Sequence, residues 1–70
     1  MAVAFRIELE REMDGRWIAE VVELPGVLAY GATQQQAVAQ VQALALRVVA
    51  DQLEHDEAGR DYLDISFAAA

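Results

Sequence analysis

The spacing of apolar residues changes twice along this chain, and the change limits what it can fold into. From Val3 to Glu10, the apolar Val3, Phe5, Ile7 and Leu9 alternate with Ala4, Arg6, Glu8 and Glu10, the two-residue period of a half-buried strand. From about Gln34 to Glu54 the apolar Val38, Val41, Leu44 or Ala45, Val48 and Leu53 return every three or four residues, as on one face of a helix. Alternation then resumes, with Leu63, Ile65 and Phe67 set between Tyr62, Asp64 and Ser66. One helix is therefore expected between strands.

The segment between the first strand and the helix reads as two more strands. Arg11 to Gly15 is polar and ends in Asp14-Gly15, a pair that tolerates the positive φ angles of hairpin turns. The strand that follows, Arg16 to about Val22, puts Trp17, Ala19 and Val21 on one face and Ile18, Glu20 and Val22 on the other. Glu23-Leu24-Pro25-Gly26 then turns the chain, because proline lacks an N–H and glycine accepts backbone angles closed to other residues. Val27 to Tyr30 makes a third, short strand. After Gly31-Ala32, Thr33 can cap a helix and Gln36 can reach back to complete a capping box.

A helix of this length spans roughly 30 Å, slightly more than the ~25 Å of a seven- or eight-residue strand. His55 to Arg60 reads as a polar connection and Ala68 to Ala70 as a frayed tail. A strand-helix-strand crossover usually brings its two strands parallel in one sheet. The expectation is a single α+β domain over residues 1–70, of β-β-β-α-β order, with one helix on one face of a mixed four-stranded sheet in the order 3-2-1-4. That helix leaves the opposite face, with Arg6, Glu8, Glu10, Ile18, Glu20 and Val22, uncovered.

Composition narrows the function classes. At 70 residues the chain is short for independent folding, and without cysteine it has neither disulfides nor thiolate ligands; self-association is the usual supplement for such a core. A homo-oligomer is expected. Twelve acidic residues against five basic ones give a formal charge of −7, which repels phosphate backbones and attracts basic proteins. Direct nucleic-acid binding is disfavoured. No apolar run approaches the roughly 20 residues that span a bilayer, so no membrane association and a cytoplasmic location are expected.

Three stretches together form a pattern: Asp14-Gly15-Arg16-Trp17-Ile18-Ala19-Glu20, then Glu23-Leu24-Pro25-Gly26-Val27, then Tyr30-Gly31-Ala32-Thr33 followed by Ala37. In order and spacing they resemble the HicB-like antitoxins of bacteria over about half the chain. That resemblance implies a truncated ribonuclease H fold that has lost its catalytic set, needs no cofactor, and binds a small basic HicA-like toxin. The toxin is an mRNA-cleaving enzyme of double-stranded-RNA-binding type whose active histidine the antitoxin masks. Full antitoxins usually continue into a DNA-binding module after the last strand, and a chain ending at Ala70 is not expected to bind an operator alone. Gln34, Gln35 and Gln36 replace acidic residues common after the helix-starting threonine.

The residues expected to meet such a partner are Glu8, Glu10, Ile18, Glu20, Val22 and Glu23: carboxylates to steer a basic protein, apolar side chains among them to form a contact core. Asp14, Gly15, Leu24, Pro25, Gly26, Gly31, Thr33 and Gln36 carry the turns and the cap. A free edge strand offers a second contact, by sheet extension. Two alternatives remain: an orphan oligomeric interaction module of the same fold, and a degenerate metal-dependent nuclease using Glu8, Glu10 and, if the last strand pairs with the first, Asp64. His55 is the sole histidine and is explained by the carbonyl end of the helix. Ser66, the sole serine, has no base near it. Trp17 and Tyr30 read as core or interface packing residues, because the basic groove that accompanies base stacking is absent.

Overall fold

A computed structural model describes residues 2–55 and 64–69. Its elements are β1 (Ala2–Arg11), β2 (Trp17–Val21), β3 (Leu28–Gly31), α1 (Gln34–His55) and β4 (Asp64–Ala69). They form one four-stranded sheet of order β3-β2-β1-β4, with β1 antiparallel to β2 and parallel to β4. This is the mixed α+β sheet expected from the changes of period. Residues 56–60 of the polar connection, Tyr62, Leu63 and Ala70 lie outside the described residues. Ala68 and Ala69 are not a frayed tail: they pair with Arg6 and Ile7.

The turns follow their chemistry. Gly15 has φ +92° and donates its N–H to Glu12 O at 3.0 Å, while Asp14 accepts from Arg16 N at 3.0 Å and Arg16 Nε at 2.7 Å. Those bonds hold the Asp14 carboxyl below its ordinary range, the backbone N–H of Arg16 first and its side chain second. Gly26 sits at φ +84°; the turn folds inward, so that Leu24 and Val27 are both buried. Gly31 passes so close to α1 that an added Cβ would overlap Ala37 N and lie 2.8 Å from Gln36 Cβ. Thr33 Oγ1 caps Gln36 N at 3.1 Å. The Gln36 side chain reaches past Thr33 to accept from Ala32 N at 3.0 Å, one residue earlier than in the usual capping box.

The core lies between α1 and one sheet face. Phe5 and Ile7 of β1, Ala19 and Val21 of β2, and Ala37, Val41, Ala45 and Val49 of α1 are buried. The buried line of the helix thus runs through 37, 41, 45 and 49: of the stripe expected at Val38, Val41, Leu44 or Ala45, Val48 and Leu53, Val41 and Ala45 lie on it and the others are rotated off it. Val38, Leu44 and Val48 flank it, half-buried, and Leu53 is 49% exposed. The reason is steric: Ala37 and Ala45, with Ala19 opposite, let the helix approach the sheet more closely than leucine at the seam would permit. At the far end of the helix His55 Nδ1 lies 2.8 Å from Asp51 O, in keeping with the carbonyl-end reading.

Candidate functional site on the uncovered sheet face

Strand alternation sends every second residue away from the helix. The register brings Glu8 opposite Glu20, Glu10 opposite Ile18, Ile18 opposite Tyr30 and Glu20 opposite Leu28. The expected Glu8, Glu10, Ile18 and Glu20 therefore do assemble, around a shallow concavity of about 480 Å³. Leu28 and Tyr30 extend the same face and were absent from the sequence-derived set; strict alternation around the inward, half-buried Ala29 is the signal that finds them. With Val22, these three apolar side chains are 38–43% exposed.

The charges on this face are unevenly matched. Glu8 and Glu20, directly opposed, are like charges at a spacing that costs stability, and Glu10 adds a third carboxylate. Among the described residues, none of the three has a salt-bridge partner. The arginines of the sheet and its hairpin are occupied elsewhere: Arg6 Nε binds Glu23 Oε2 at 2.8 Å, Arg16 binds Asp14 and lies over the Tyr30 ring at 4.6 Å, and Arg11 lies over Trp17 at 5.8 Å. Glu8 exerts only a minor pull on Arg6.

Glu23 occupies a different situation from the other expected carboxylates. Its second oxygen accepts the backbone N–H of Arg6 at 2.8 Å, where β2 leaves the ladder at Val22 and would otherwise deprive that donor of a partner. The Arg6 side chain, then its backbone, hold the Glu23 carboxyl below its ordinary range. Glu23 thus closes the end of the sheet and has less free charge to offer a partner.

The metal-nuclease arrangement loses its third carboxylate. β4 does pair with β1, but in a register that sets Asp64 against Ala2, six residues and roughly 20 Å along the strand from Glu8. Among the described residues no three His, Cys, Asp or Glu side chains are placed to hold a metal ion. Nor is any described helix long and apolar enough to cross a membrane. Of the two aromatic residues expected in core or interface packing, Trp17 is half-buried on the helix side of the sheet and Tyr30 is on the uncovered face.

No family model, curated protein or solved structure matches the chain.

Proposed function

We propose that this chain is a HicB-like antitoxin domain that binds a small basic mRNA-cleaving toxin of the HicA type through the uncovered sheet face and inhibits it by occlusion, without chemistry or cofactor, in the cytoplasm. The observation that carries the reading is the pairing of Glu8 with Glu20 beside Glu10, three carboxylates without an ion-pair partner among the described residues, around a half-buried Ile18. Repulsion of this kind is a standing cost to the isolated domain. A cationic partner relieves it, and the apolar belt of Ile18, Val22, Leu28 and Tyr30 supplies the dry contact that charge alone lacks. The order of the hairpin, Leu-Pro-Gly turn and helix-start motifs adds the family resemblance.

The test is a pull-down of tagged protein from its host lysate, with RNA cleavage by the eluate assayed before and after the components are separated. A small basic protein that cleaves RNA only once freed supports the proposal, and Glu20→Lys should lower its recovery at least tenfold while the domain stays folded. Recovery of the chain alone as a defined oligomer would replace it with the orphan interaction module.

A further inference from the structure

We propose that β4 is a self-association edge, through which two copies of this chain join antiparallel into one continuous eight-stranded sheet. The proposal does not depend on the toxin reading, because it concerns the opposite use of the molecule: contact with itself.

The backbone hydrogen bonds show which groups of β4 are free for such pairing. Arg6 donates its N–H to Glu23 Oε1 and accepts at its carbonyl from Val22 N, so both its backbone groups point toward β2. Successive residues of a strand point their backbone groups to opposite sides, and Phe5 and Ile7 therefore face β4. With Phe5 opposite Phe67 and Ile7 opposite Ala69 in a parallel ladder, Ser66 and Ala68 are the residues that bond back to β1. The N–H and C=O groups of Ile65, Phe67 and Ala69 point the other way, and among the described residues β4 pairs with β1 alone.

The two edges of the sheet differ in their protection. β3 is four residues long, ends on a glycine pressed against α1, and has Arg16 stacked over its Tyr30. β4 is less guarded among the described residues: its sequence, DISFAA, contains no lysine, arginine or proline. An unguarded edge is open to any extended strand, but three features favour a second copy. Antiparallel pairing about a two-fold axis at Phe67 sets Phe67 against Phe67 of the second copy and Ile65 against its Ala69, for about six new hydrogen bonds. Asp64, the only charge in the strand, is then remote from its own counterpart. On the helix side, Ile65 and Phe67 are only half-buried, since α1 approaches most closely over β3 and β2; a second copy extends the apolar layer beside them. Glu8, Glu10 and Glu20 meanwhile bar the uncovered face from meeting its own copy by like-charge repulsion.

Hydrogen exchange of the intact chain, followed at high and low concentration alongside sedimentation, tests this directly. The amides of Ile65, Phe67 and Ala69 should be protected in the concentrated sample and lose at least tenfold protection on dilution, while those of Ser66 and Ala68 stay protected in both. Ala69→Pro removes an edge-facing N–H that the β1 ladder does not use, and is expected to sediment as a folded monomer where the parent sediments at twice the chain mass. A parent that is monomeric at high concentration overturns the proposal. So does an oligomer in which the Ile65, Phe67 and Ala69 amides exchange as fast as after dilution, or one that survives Ala69→Pro unchanged.

Discussion

The two faces of the sheet alternate residue by residue along the same strands, yet they meet opposite conditions. The helix-side face is packed with small and branched side chains: Ala19 and Val21 are wholly buried beneath Ala37, Val41 and Ala45, and no polar or charged residue is buried among the described residues. The other face sets Glu8 directly against Glu20 and leaves Val22, Leu28 and Tyr30 half in solvent. A face optimised for stability alone would avoid opposed carboxylates. The contrast teaches that stability is concentrated on the helix side, leaving the other face available for contact.

Substitutions on the two faces sharpen or break that contrast. The largest effect is expected at Phe5, 2% exposed and in tilted contact with Phe67 at 5.7 Å between ring centroids. Phe5→Ala should cost about 3–5 kcal/mol in urea unfolding. Leu44→Ala should cost clearly less, as Leu44 flanks the buried line of the helix; the reverse order would show that the helix seats on its leucine stripe after all. Next comes Gly31→Ala, expected to cost about 1–3 kcal/mol because the new methyl meets backbone that cannot swing away. A neutral result in thermal melts would mean that the β3 to α1 junction is looser than described.

On the uncovered face the sign should reverse. Glu20→Gln removes one of two opposed carboxylates, and is expected to stabilise the domain by about 0.2–1 kcal/mol while weakening capture of a basic partner. A loss of stability would break the division of labour between the faces. The smallest effect is the acid response of Glu23, whose folded carboxyl is held low by Arg6. A lowered folded pKa gives stability that is present above the unfolded value and lost as pH falls through the folded one. Melts below about pH 4 should therefore be less pH-sensitive in Glu23→Gln than in the parent. An identical pH profile would show that the Arg6 bond does not persist in solution.

Much of this was legible in the residues. Alternation at 3–10 and 65–67, the Asp14-Gly15 and Pro25-Gly26 turns and the Thr33 cap are local signals, since strand period, positive φ and N–H capping each depend on a few adjacent residues. They located the elements and the uncovered face. What was not legible depended on distance and register. Of the expected helical stripe, Val41 and Ala45 are core, but Val38, Leu44 and Val48 only flank it, because the separation of helix and sheet rewards small side chains such as Ala37 and Ala45 at the seam. Leu24 read as part of a turn and proved to be core. Glu23 read as a partner contact, and its bond to Arg6, 17 residues away, has no local signature.

Element order, the mixed sheet and the acidic, partly apolar character of one face follow from the residues alone, because periodicity and turn chemistry act within a few positions. That Glu8 opposes Glu20, that Asp64 lies against Ala2, and that Ile65, Phe67 and Ala69 direct their backbone groups outward emerge only in the folded sheet. Each of these is a matter of strand register, and register is set by the packing of the whole sheet against the helix, which no short stretch of the chain contains.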